Sequence, residues 1–465
     1  MNAISRTAVR FQLAAVAASL ALAPACGPGA KTPTPAQTSE AHASELAARV
    51  RAEFAYAWQG YKTYAWGHDE LKPLSRTYKD WYSEPLYMTP IDALDTMLIM
   101  GMKEDAETTK SFLVEKLSFD KDISVKNFEI TIRVLGGLLS AYQMTGDARL
   151  LALAEDLGKR LLPVFDSPTG MPYTYVNLRT GKATGAKSNP AEIGTLILEF
   201  GTLAKLTKKP AFYEKPKRAL VELYNRRAKT GLVGEEIDVE TGEWKSPTSH
   251  VGGGIDSYYE YLLKCERLFG DPDCGRMWRD SIGAVNRYLA DDGPGGLWYG
   301  ESDMTTGQRT ATTYGALHAF LPAVLALDGQ MDRARRLQDS GFRMWTSFGI
   351  EPEVLDYRTM QAVSPGYVLR PEIVESAYYL HHFTNEPKYI EMGRTFLDAL
   401  ERNCRTDIAF TTLKSVITRE KGDLMHSFFF AETLKYLYLL FAPAETLDFD
   451  HVVFNTEAHP LRKTW

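Results

Sequence analysis

Five acids recur at or just inside the start of apolar, helix-patterned segments: Glu129 in NFEITIR, Glu192 in NPAEIG, Asp256 in GGGIDSYYE, Glu372 in LRPEIVE and Glu432 in FFFAETL. A carboxylate at a helix N-terminus complements the macrodipole and accepts bonds from free amides, so each one alone reads first as a cap. Ser, Thr or Asn would cap as well, yet all five positions carry an acid. Three of them have aromatic neighbours: Phe128, Tyr258 with Tyr259, and Phe428 to Phe430. The aligned stretch near Ala316, between Asp256 and Glu372, has no acid. Carboxylates accept bonds from sugar hydroxyls and aromatic faces pack on sugar C–H surfaces, so an acid-lined, aromatic-walled cavity suits a polyhydroxylated neutral ligand. Cleaving a glycosidic bond needs two carboxyl groups across it, one protonated and one charged.

The elements that must position these acids are helical hairpins. From about residue 43, helical apolar spacing recurs, broken by the polar turns GMKED (101–105), TGDAR (145–149), TKKPA (207–211), FGDPD (269–273), LDGQM (327–331) and TNEPK (384–388). After the first interval the turns return about every sixty residues, the mark of tandem copies. Six hairpins, with a seventh pair formed by the helices around 43–62 and 427–441, predict fourteen helices closed into an all-α (α/α)7 toroid in one domain. Between copies lie YTYVNLRTGKATG (173–185), EEIDVETGEWKSP (235–247) and LWYGESDMTTGQR (297–309), each with a Thr-Gly turn. They read as β-hairpins on one side of the repeat, so one mouth should be built of loops.

Composition narrows the function. With 465 residues, 53 Lys+Arg against 59 Asp+Glu and a net charge of -6, the chain has ample core and no basic stripe for phosphates, which argues against nucleic-acid binding. No HExxH helix, Walker loop, GxSxG elbow, complete EF-hand loop or GxGxxG is present. His381 and His382 lack ligand spacing and read as structural. Residues 1–25 have the layout of a secretory signal, with Arg6 and Arg10 before an apolar run; Leu22–Cys26 approximates a lipobox, and 26–42 read as a flexible linker before a domain at 43–465. Those features place the chain outside the cytoplasm, periplasmic, secreted or lipid-anchored at Cys26 in a bacterial envelope. Cys265 and Cys274 are open to two readings, a bridge or two buried thiols, and Cys404 is left over.

Seven stretches, in order, resemble motifs of glycoside hydrolase family 47, the class I α-1,2-mannosidases: YAWGHDELKP (64–73), IDALDTMLIMG (91–101), FEITIRVLGGLLSAY (128–142), VGGGIDSYYEYLLK (251–264), LRPEIVESAYYL (369–380), SFFFAETLKYLYLLF (427–441) and VFNTEAHP (453–460). The resemblance implies a calcium-dependent, inverting exo-hydrolase that removes terminal α-1,2-linked mannose from glycans; the export features point to a bacterial member, expected to be a monomer, and a barrel that binds mannose without turnover is the alternative. It implies Glu129 as general acid acting through a water, Glu372 as general base and Asp256 as a third essential carboxylate, acid or orienter. Arg133, Glu192, Arg370, Glu375, Phe428, Glu432 and Glu457 match the mannose pocket, and Thr456 matches the calcium ligand, through its hydroxyl and carbonyl. An i,i+4 pairing of Arg133 with Glu129 is expected on helical grounds as well. Three departures stand out: Gly254 replaces an Arg or Leu, Ala316 falls where a pocket His is expected, with His318 nearby to replace it, and Ala319 occupies one position of the usual disulfide.

Overall fold

The computed structural model describes residues 35–464 apart from Pro294, with side chains from His42 onward. The secretory-signal and lipobox segments lie outside the described residues. The chain divides into 1–41 and His42–Trp465. Helix begins at Pro35 and runs to Tyr64, so the last part of the expected linker is helical. Among the described residues no helix is long and apolar enough to cross a membrane.

His42–Trp465 is a double ring of helices. The inner ring comprises Met88–Ile99, 127–145, Ile197–Thr207, Asp256–Phe269, 316–327, Glu372–Thr384 and 429–441; each packs on the next and the last returns to the first. The outer ring comprises the helix ending at Tyr64, then Lys103–Lys116, Ala148–Leu161, Ala211–Asn225, Pro272–Tyr288, Met331–Phe348 and Pro387–Cys404. Burial separates the two. Every residue of Met88–Ile99 except Leu98 is buried, whereas Met331–Phe348 buries one stripe, Ala334, Leu337, Gly341, Met344 and Trp345. The expected seventh pair forms: Phe54 and Trp58 meet Phe430 edge-on, with centroids at 4.8 and 5.7 Å. At inner-to-outer turns, Gly146 and Gly270 take the left-handed conformation, and Asp147 and Asp271 then cap the outer helices. Cys265 and Cys274, on either side of the second turn, form a disulfide; Cys404 is buried and free.

Four hairpins decorate the mouth: 175–184, 236–246, 301–311 and 354–364. Each pairs with the strand that leads into an inner helix, Ser124–Lys126, Lys187–Ser188, Thr248–Ser249 and Thr313–Gly315. In each turn one Asn or Asp (Asn177, Asp238, Asp303, Asp356) accepts from two amides ahead, and the residue after them has positive φ: Gly181, Gly242, Gly307 and, in the last copy, Met360. A last hairpin, Val452–Phe454 with Pro460–Arg462, packs on inner helices and carries its turn, 455–459, into the barrel.

Candidate active site

The N-terminal ends of the inner helices converge on a cavity of about 280 Å³. Glu129 and Arg133 reach it from 127–145, Glu192 from the short helix Pro190–Gly194, and Asp256 from the first position of its helix. Arg370 and Glu372 arrive at the start of Glu372–Thr384, Phe428 and Glu432 at the start of the last, and Thr456 and Glu457 on the C-terminal turn. Ten of the expected site residues therefore share one wall. Glu375 does not. It lies one helical turn deeper, accepting from Tyr436 Oη at 3.3 Å, with Lys264 Nζ at 3.8 Å. Arg133 and Glu432 both sit in π-helical turns, Thr131–Leu135 and Phe429–Thr433, where one extra residue per turn re-aims a side chain.

The cations of this cavity are already engaged. Arg133 donates from Nε to Glu129 at 3.1 Å, as the helical spacing predicts, and pairs with Glu457 across the barrel. Arg370 grips Glu353 at 2.9 Å and Lys126 meets Glu192 at 2.8 Å. Both guanidiniums flank the Phe428 ring, at 5.7 and 5.9 Å from its centroid. The carboxylates outnumber these cations, are buried and crowd one another. Burial pushes Asp256 up to about 6 against the Ser257 amide that holds it down, and Glu372 up to about 7, with Arg370 opposing and Glu353 and Asp256 adding to the rise. Glu457 is pushed up to about 8 despite Arg133, and burial with repulsion from Glu457 and Glu372 raises Glu432 well above the carboxylate range. Glu372 Oε2 has no hydrogen-bond partner in the protein. Buried, mutually repelling acids with a free oxygen are the pattern of a working site rather than of a stabilising one.

A family model of glycosyl hydrolase family 47 matches residues 53–463, nearly the whole of the ring structure. The chain belongs to glycosyl hydrolase family 47. It is 36% identical over 455 residues to α-mannosidase I MNS5 of Arabidopsis thaliana, covering 92% of this chain and 78% of that protein. Over 443 residues it is 37% identical to the endoplasmic reticulum mannosyl-oligosaccharide 1,2-α-mannosidase of Mus musculus, covering 88% of this chain and 66% of that protein. Among solved structures, the α-1,2-mannosidase from Trichoderma reesei matches with a TM-score of 0.83 at 27% identity, over 90% of this chain and 99% of that one. The (α/α)7 barrel read from the turn spacing is thus the fold.

In this family-47 chain the donor set fits a divalent cation held indirectly. The only three ligand atoms of His, Cys, Asp or Glu that cluster among the described residues are those of Cys265, Asp271 and Cys274, and the two sulfurs are bonded to each other. No carboxylate trio in the cavity closes on one point. What the cavity offers is Thr456, with a neutral hydroxyl and a carbonyl, ringed by acids that exceed their cationic partners; hard cations accept such oxygens and fill remaining positions with water.

Sequence reasoning missed several residues. Glu353 fixes Arg370, Lys126 neutralises Glu192, and Asn189 caps the Glu192 amide at 2.9 Å. Lys79, Trp81 and His426 line an outer extension of about 510 Å³ that shares Glu129, Arg133, Arg370 and Phe428 with the inner cavity. A signal existed for one class: acids inside otherwise apolar stretches of inner helices, Asp95 in DALDTM and Glu199 in ILEFGT, both prove buried. His318 does not replace the missing pocket His. Its ring packs against Tyr314 and His250, Leu317 takes the wall, and burial lowers His318 to about 3. Gly254 does line the cavity, with φ +91 and only Asn189 near its missing Cβ, so the wall is open there.

Proposed function

We propose that this chain is an inverting, calcium-dependent exo-α-1,2-mannosidase that trims terminal mannose from mannose-containing glycans. The observation that carries the reading is the meeting of Glu129, Asp256 and Glu372 with Thr456 in one cavity of a family-47 barrel. Glu372, with an oxygen free of protein partners, takes a proton from a water that attacks the anomeric carbon. Glu129, oriented by Arg133, protonates the departing oxygen through a second water, and Asp256 orients that exchange. The C–O bond breaks and mannose leaves with its configuration inverted. Phe428 supports the sugar face, while Arg133, Glu192, Arg370, Glu432 and Glu457 receive its hydroxyls; Glu375 stands behind them. Thr456 would hold calcium, which when bound supplies an electrophilic anchor for two sugar hydroxyls. We read residues 1–25 as an export signal and Cys26 as a candidate anchor in a bacterial envelope, with the domain beginning near residue 43.

The test is mannose release from an α-1,2-linked mannose disaccharide before and after chelation. Release that EDTA abolishes and calcium restores is expected. Full turnover in EDTA would overturn the calcium assignment. Tight mannoside binding by calorimetry without release over days would favour the non-catalytic barrel instead.

A further inference from the structure

The turn that delivers Thr456 is held by a polar network reaching it from three inner helices. Asn455 is fully buried and its side chain is saturated: Oδ1 accepts from the Glu457 and His459 amides at 3.0 and 2.8 Å, and Nδ2 donates to the Ile132 carbonyl at 2.9 Å and to Glu199 Oε1 at 2.7 Å. The same Glu199 oxygen accepts from Tyr261 Oη at 2.6 Å, and that hydroxyl in turn accepts from the Thr456 amide at 3.2 Å. Ala458 N donates to the Asn455 carbonyl at 3.1 Å, so the 455–456 peptide plane is fixed at both ends.

The consequence for Thr456 follows from peptide planarity. In a trans peptide the C=O points opposite to the N–H of the next residue. With the Glu457 amide tied to Asn455 Oδ1, the Thr456 carbonyl is turned away from that side chain, and among the described residues nothing donates to it. A backbone acceptor left free on a residue lining an acidic cavity is a ligand prepared in advance. Gly136 makes the arrangement possible, because a Cβ there would stand 2.6 Å from Asn455 Nδ2.

We propose that Glu199, Tyr261 and Asn455 are positioning residues that preset the Thr456 carbonyl for a divalent cation, acting on cation affinity rather than on the bond-breaking step. The inference rests on the calcium reading above. Outer partners of metal ligands typically govern affinity by about 10–100-fold, and that is the effect expected here.

The experiment measures calcium affinity of the full chain by competition with terbium luminescence, alongside thermal shift at increasing calcium, for the parent and three variants. Tyr261→Phe removes one hydroxyl and should weaken calcium binding by about 10–100-fold, with kcat near the parent value once calcium is saturating. Glu199→Gln keeps an acceptor for both Tyr261 and Asn455 and should stay within a fewfold of the parent. Glu199→Leu removes the acceptor and should match Tyr261→Phe. A purely structural role would lower the calcium-free Tm of Tyr261→Phe and leave its affinity untouched; that result overturns the inference while the calcium reading stands. A parent protein that binds no calcium in either assay overturns both.

Discussion

The mouth of the barrel and its plugged base handle buried charge in opposite ways. At the base, Asp95 is fully buried and accepts from Lys435 Nζ at 2.8 Å, His459 Nδ1 at 2.7 Å and Ser140 Oγ at 2.9 Å. Those partners outweigh burial and hold Asp95 down to about 2, while Asp95 and Asp92 lift His459 to about 9 against its own burial. At the mouth, burial wins: Asp256, Glu372 and Glu457 all rise, and the available guanidiniums are shared or occupied. The base draws Asp95 from Met88–Ile99, whereas the mouth draws its acids from other inner helices and from the C-terminal turn. The difference is whether each carboxylate has a cation of its own, and it separates a charge-paired clamp from a cup of crowded acids.

The largest expected effect lies in the cup. Glu372→Gln should cost about 10²–10⁴-fold in kcat, the usual range for a lost general base, while the Tm holds or rises. A parallel fall in Tm and activity would make Glu372 a clamp residue like Asp95 and erase the comparison. Next comes the base. Lys435→Met leaves Asp95 buried with one cation fewer and should destabilise by about 3–5 kcal/mol in urea titration. A loss below about 1 kcal/mol would show that His459 and Ser140 suffice.

The pH dependence of stability is a smaller and sharper probe. Glu372 has a folded value near 7 against an ordinary 4.5, so between these limits the native state keeps a proton that the unfolded chain has lost. Stability therefore falls as pH rises through that window. The calcium-free protein should lose about 1–3 kcal/mol between pH 5 and 8, and Glu372→Gln should flatten the slope. The base runs on different limits. The contribution of Asp95 is present above its ordinary 3.8 and lost as pH falls through 2; that of His459 is complete below its ordinary 6.5 and lost as pH rises through 9. A slope unchanged by Glu372→Gln would move the titration out of the cup.

What could be read from the chain follows the same division. The helix pairs were legible because Gly146, Asp147, Gly270 and Asp271 use local turn chemistry that needs no partner. Three mouth hairpins announced themselves through Thr-Gly, whereas the fourth places Met360 at φ +55, so its turn has the same geometry without the residue that marks it. The acids at helix starts could be found by position, and ten of the expected residues share one cavity. The grip of Glu353 on Arg370 spans the fourth mouth hairpin, that of Lys126 on Glu192 joins neighbouring copies, and the Asn455 network joins residues hundreds of positions apart, so each depends on tertiary packing that no local pattern marks. Glu375 shows the limit of position alone, since three residues after Glu372 the helix has already turned below the wall.

The central claim is an inverting hydrolysis carried out by the carboxylates of the cup. Proton NMR of an α-1,2-mannobiose digest, recorded before mutarotation, reads it directly. β-Mannose should appear first in the presence of calcium, with no anomeric signal growing after chelation. First release of α-mannose, or no release at all from protein with calcium bound, would contradict the account.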